Sequence, residues 1–173
     1  MKLFTIILFL TTIALAKKLS KKKHEQRHYH AHEHGAGALG IAFEGLKGHV
    51  EFKISSGSIF GFEYAAKSEN DKKQRNEALA RLEIKISEML QFEAALNCKI
   101  IKDKIEVVAE SSGHSDVVAA YTVTCDKSPM GSLLIFNFQQ QFPKIKDLDV
   151  QVIVDNFQKS IEVKSSKTKL VLK

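Results

Sequence analysis

The chain has 173 residues, 44% of them hydrophobic and 27% charged, with two cysteines and no tryptophan. That is one domain's worth of length, or two small subdomains, and enough apolar material to bury a real core. The formal charge of +6 comes from 26 Lys and Arg against 20 Asp and Glu. Much of the excess is gathered near the N-terminus, no basic face interleaved with aromatics follows, and nucleic-acid binding is not expected.

Lys2 supplies a positive start, residues 3–15 are almost wholly apolar, and Ala14-Leu15-Ala16 offers small residues for cleavage. This is the pattern of a secretory leader over residues 1–16. The apolar run is too short to span a bilayer, so stable membrane insertion is not expected and an uncleaved anchor is the alternative. The mature chain, residues 17–173, is then exported to an oxidising compartment. Residues 17–27 carry Lys17, Lys18, Lys21, Lys22, Lys23 and Arg27. They read as a solvated basic tail, the alternative being contact with anionic lipid headgroups.

Five of the seven histidines lie between His24 and His34, and His28, His30, His32 and His34 are spaced by two. In an extended chain such side chains share one face, roughly 6.5 Å apart. Zinc takes about four His, Cys or carboxylate ligands at about 2.0–2.3 Å. Histidines two apart can close on one ion if the strand bends or another segment supplies a ligand. Zinc is the first expectation, with Cu(II) and Ni(II) open on ligand type alone. A weak scavenging tract with no ordered site, or no metal role at all, stays as the alternative.

Leu39, Ile41 and Phe43 alternate with smaller or polar residues, as do Val50, Phe52 and Ile54 after a turn at residues 45–48. The pattern predicts a hairpin. His49, at its second strand, reads as a surface residue. Residues 59–66 carry no clear assignment. Ser68 and Asp71 have the spacing of a capping box. Leu79, Leu82, Ile86 and Leu90 follow at helical spacing, which predicts one long helix ending near Asn97. Its stripe reads as core.

Residues 98–110 and 116–125 are strand-like, with a two-residue tip expected at Ser111-Ser112. That register sets Cys98 opposite Cys125, close enough for a disulfide. The even cysteine count in an exported chain supports the bridge, worth on the order of 3 kcal/mol. Residues 133–138 fit a strand or a buried helix. Val150, Val152 and Val154, then Ile161 and Val163, then Leu170 and Leu172, alternate as strands. The sum is an α+β domain over residues 28–173, mostly antiparallel, with one main long helix and a disulfide-tied hairpin. A division into two small subdomains near residues 97–128 is left open.

No GxSxG, P-loop, GxGxxG or HExxH pattern occurs. Ser111, Ser112, His114 and Asp116 include triad residue types, but crowded into one turn they lack triad geometry. An enzyme is not expected. His114 and Asp116 at the hairpin tip form a His-x-acidic pair able to extend a metal site, with a solvated turn as the plainer reading.

The run His30-Ala31-His32-Glu33-His34-Gly35 ahead of an alternating strand resembles the start of the ZrgA family of periplasmic zinc-uptake accessory proteins. Gly61-Phe62-Glu63-Tyr64-Ala65 is similar to a stretch that often reads GFEHAP in that family. Cys98, His114, Cys125, Phe142-Pro143 and Asp149-Val150-Gln151-Val152 continue the likeness through the mature chain. The resemblance implies a periplasmic, zinc-binding protein that supports zinc import beside a zinc ABC transporter, its partner there being the transporter's periplasmic zinc-binding component. It also implies His30, His32 and His34 as ligands, with Glu63, His114 and Asp116 as further candidates. Tyr64 stands where the family usually has His. The long His/Asp-rich insertion many members carry between the cysteine strands is reduced here to residues 110–113. The resemblance therefore implies few zinc ions per chain. The other reading is an envelope interaction module, bound through its basic tail or strand edges, with incidental histidines.

Overall fold

The computed structural model describes residues 35–110 and 113–173. The expected leader, the basic tail, His30, His32, His34 and the tip residues Ser111 and Ser112 lie outside the described residues.

The expected α+β domain around one long helix is not what forms. Among the described residues nine strands in two sheets dominate, and the helices are short. β1 (Ala36–Glu44) and β2 (Lys47–Ser55) make the expected hairpin, with Leu39, Ile41, Phe43, Val50, Phe52 and Ile54 buried on one face. α1 (Ser56–Phe60) is a five-residue helix that ends at Gly61, whose φ of 94° suits glycine. α2 (Glu69–Ile84) starts as expected. Ser68 Oγ accepts from Asp71 N at 3.0 Å and Asp71 Oδ2 accepts from Ser68 N at 3.3 Å. The helix stops at Lys85, resumes for one turn as α3 (Ile86–Met89), and gives way to β3 (Leu90–Phe92). Ile84 is 71% exposed, off the buried stripe. Leu90 turns extended instead, to pair with Phe136 in the second sheet. Asn97 does terminate a helix, but a 3-10 turn over Ala94–Leu96, with its own φ at 47°.

β4 (Lys99–Ala109) and β5 (Ser115–Thr124) form the second hairpin, and Cys98 and Cys125 are bonded at 2.05 Å. The register reaches this pairing by another route than a two-residue tip. Glu110 N donates to His114 O at 2.8 Å, so three residues lie between the closing pair, and Asp103 is a bulge that restores the lost step. Below the bulge Lys99 faces Thr124.

After β6 (Leu133–Phe136) comes α4 (Phe138–Gln141), so the apolar run at 133–138 is both strand and helix. β7 (Asp147–Val154) and β8 (Phe157–Val163) form a hairpin, and β9 (Thr168–Val171) closes the chain. The larger sheet runs β4-β5-β2-β1-β7-β8 and the smaller β3-β6-β9. One face of the larger sheet carries the core, including Val117, Tyr121, Val150 and Val152. The second layer brings Leu82, Met89, Leu134 and Phe138 against it, and Phe138 stacks on Phe52 at 5.3 Å. Tyr121 is buried there and donates to Leu82 O at 3.3 Å, and burial holds its phenol well above the usual range.

The pair β1–β7 is parallel, with Ala36 beside Asp147. Parallel strands share an end, whereas β2 leaves the sheet where β1 enters and β5 enters beside it, Ser55 facing Asp116. Four segments therefore meet at one end of the sheet: the entry to β1, the exit of β2, the entry to β5 and the entry to β7. The disulfide sits at the opposite end. None of the described helices is long and apolar enough to cross a membrane.

Candidate metal site at the sheet end

The four segments frame an open cleft of about 630 Å³, lined among others by Gly35, Ser55, Glu63, Tyr64, His114 and Lys144. Glu63 follows the left-handed Gly61, which swings residues 62–64 off α1 and back over the strand ends. Its side chain is 11% exposed and that of His114 40%. His114 Nδ1 is hydrogen-bonded to Glu63 Oε2, and Ser55 Oγ donates to Glu63 Oε1. The backbone is pinned as firmly. Ser115 Oγ donates to Glu63 O at 2.8 Å, and Ser56 Oγ donates to Phe62 O at 3.0 Å. A Cβ on Gly57 would come within 2.9 Å of Glu63 Oε1, so glycine there lets the carboxylate seat against α1.

Phe60, Phe62 and Tyr64 form a ladder with successive ring centroids 4.7 Å apart, and Tyr64 ends it at the rim, 58% exposed. On the far wall Ile145 is buried between Lys144 and Lys146, which leaves both lysines at the cleft. The chain enters this same place. Gly35 O accepts from Lys146 N at 2.8 Å and from Asp147 N at 3.1 Å. His34 is the residue immediately before Gly35.

Of the sequence-based candidates, Glu63 and His114 are brought into contact from positions 51 residues apart. Asp116 is not joined to them: its Oδ2 is held by Lys53 Nζ at 3.0 Å, with Glu110 Oε1 at 3.8 Å from the same ammonium. His30, His32 and His34 lie outside the described residues. Among those described, no group of three or more His, Cys, Asp and Glu is placed to hold a metal ion. Ser55, Ser56 and Ser115, which position the pair, carried no signal in the sequence beyond their place at strand ends. His49 is a surface residue, 3.4 Å from Glu51 and 3.7 Å from Asp103.

The arrangement has clear chemical limits. The carboxylate stands between serine and imidazole, whereas a nucleophilic triad needs the imidazole between serine and carboxylate. An imidazole held at one nitrogen by a carboxylate is, by contrast, the usual setting of a metal-binding histidine. In that arrangement Glu63 orients the ring, and His114 is the donor that the pair contributes to a tetrahedral zinc shell.

Asp147, which opens β7 next to this site, has one buried oxygen, Oδ1, with no hydrogen-bond partner. Burial and a hydrogen bond with Glu162 raise its carboxyl above the ordinary range, against the pull of Lys164. Hydrogen bonds from Lys164 and Asp147 lower Glu162.

No curated protein matches the chain. The model of the family described as ZrgA family zinc uptake protein matches residues 31–172, the greater part of the sequence, and the chain belongs to that family of zinc uptake proteins.

Proposed function

We propose that this chain is a non-enzymatic zinc-binding protein of the periplasm that supports zinc acquisition beside a zinc ABC transporter. Zinc is its cargo. His114, held by Glu63, supplies one part of the shell, and His30, His32 and His34 supply the rest. The reading rests on one observation above all: Glu63 and His114 meet in a cleft that also holds Gly35, the residue joined to the histidine-rich run. The bridge between Cys98 and Cys125 fits export to an oxidising compartment, and the leader-like residues 1–16 supply the route. With the insertion between the cysteine strands cut to a three-residue tip, the site holds few ions.

Calorimetric titration of the mature chain with zinc tests this. His114→Ala, and separately the triple change of His30, His32 and His34 to Ala, are each expected to weaken binding about tenfold or more, and Glu63→Gln by about 10–100-fold. Binding that is unaltered in all three variants would refute the site.

A further inference from the structure

We infer that the cleft accepts zinc together with a small anionic chelator, a di- or tricarboxylate, whose carboxylates are held by Lys144 and Lys146 while the metal faces Glu63 and His114. This rests on the zinc reading above and names the form in which the cargo arrives.

Size and charge carry the argument. A bare zinc ion with ligands at about 2.0–2.3 Å needs a far smaller space than this cleft. At about 630 Å³ the cleft falls among small-molecule sites, which run about 300–1,000 Å³. Its charge is also wrong for an unaccompanied cation. Lys144 and Lys146 both line it, against the single carboxylate of Glu63 among its lining residues. Two ammonium groups across from a metal site repel a free divalent ion but complement one wrapped in carboxylates.

The placement of these groups is built into the fold. Ile145, 1% exposed, anchors the chain just after the turn at residues 143–144, where its N–H donates to Phe142 O at 3.0 Å, and the lysines on either side of it both line the cleft. Lys144 Nζ would lie 3.3 Å from a Cβ on Gly61, so the glycine that turns the chain toward Glu63 also leaves room for this ammonium. Tyr64 adds a flat, exposed ring backed by Phe62 and Phe60, an anchor for an organic ligand at low entropic cost.

The test is titration of the full mature chain with preformed zinc citrate and, separately, with zinc chloride. The native chain is compared with the Lys144→Gln, Lys146→Gln double variant. A control double variant, Lys47→Gln with Lys127→Gln, removes the same charge at the opposite end of the sheet. Zinc citrate is expected to bind the cleft variant at least tenfold more weakly than the native or control chains, while zinc chloride binds the cleft variant at least as tightly as the other two. Equal losses in cleft and control variants, no loss in either, or an equal loss for zinc chloride would overturn the inference. Absence of zinc chloride binding to the native chain would sink the earlier reading and this one with it, whereas zinc chloride bound by the native chain without the difference for zinc citrate would sink this one alone. Binding of neither would sink both.

Discussion

At the scale of single residues, the sequence named candidates but not their placement. Glu63 and His114 were candidates through their motifs, yet nothing in either motif says that the two side chains touch. Contact depends on a left-handed turn at Gly61 and on three serines whose roles appear only in the fold. Glycines were similarly opaque. Gly48 looks like part of a turn, but a Cβ there would fall 2.7 Å from three ring atoms of Phe43. The ring fills the space a side chain would take. Gly48→Ala is therefore expected to destabilise the chain by about 1–3 kcal/mol through overpacking, read as a shift in the urea midpoint. Asp147 gives a prediction whose sign follows from linkage. Its carboxyl is raised in the folded state, so the stability it contributes is fully present in acid and is lost as pH rises through the folded value. An amide keeps a donor toward Glu162 and carries no charge beside the unpartnered Oδ1 position. Asp147→Asn is expected to be more stable than the native chain at about pH 7, with the gap closing toward about pH 4. Urea unfolding at the two pH values reads this directly, and a gap that widens in acid would contradict it.

Among elements, period-two alternation found strands well. The strands at 39–43, 50–54, 150–154 and 161–163 stand where their buried residues alternate, because one face of each looks into the core. The long helix failed for a tertiary reason. Leu82, Ile86 and Leu90 do share helical spacing, but the chain must release Leu90 to pair with Phe136, and no local signal marks that demand. The cysteine hairpin is more instructive, since a two-residue tip was expected and a three-residue tip occurs. One extra residue in the tip and one in the strand cancel, so the bridge forms in the expected register. The bulge has a partner of its own: Thr122 Oγ1 donates to Asp103 Oδ2 at 2.9 Å. Deleting Asp103 removes the compensation, and a one-residue slip turns side chains to the opposite face. Oxidative refolding of that deletion is expected to leave free thiols that the native chain lacks, as counted by thiol titration. A fully oxidised product with native stability would show that the bulge does not set the register.

For the whole molecule, the parallel contact of β1 with β7 was the feature furthest from sequence reach, and it does most to create the site. It ties residues 36–43 to residues 147–154, brings Lys144 and Lys146 to the entry of the chain, and leaves the disulfide at the other end of the sheet. No local pattern specifies such a pairing, because both strands read the same whichever neighbour they take. The separation has a measurable consequence. β5 runs ten residues from Ser115, beside His114, to Thr124, beside Cys125, a span of roughly 34 Å at about 3.4 Å per residue. Zinc bound at the cleft, as proposed, would share no side-chain partner with the bridge at the far end, and their contributions to stability should add. At about 100 times its dissociation constant, zinc bound only to the folded chain adds about 2.7 kcal/mol. The bridge closes a loop across a sequence separation of 27, for which chain entropy gives about 3.5 kcal/mol. The double change of Cys98 and Cys125 to Ser is expected to lose the second quantity and keep the first, so that zinc raises the unfolding free energy of both chains by the same amount within about 0.5 kcal/mol. His114→Ala should lose most of the zinc increment and keep that of the bridge. If breaking the bridge abolishes the zinc increment, the β4–β5 hairpin transmits order along its length and the two ends are not independent.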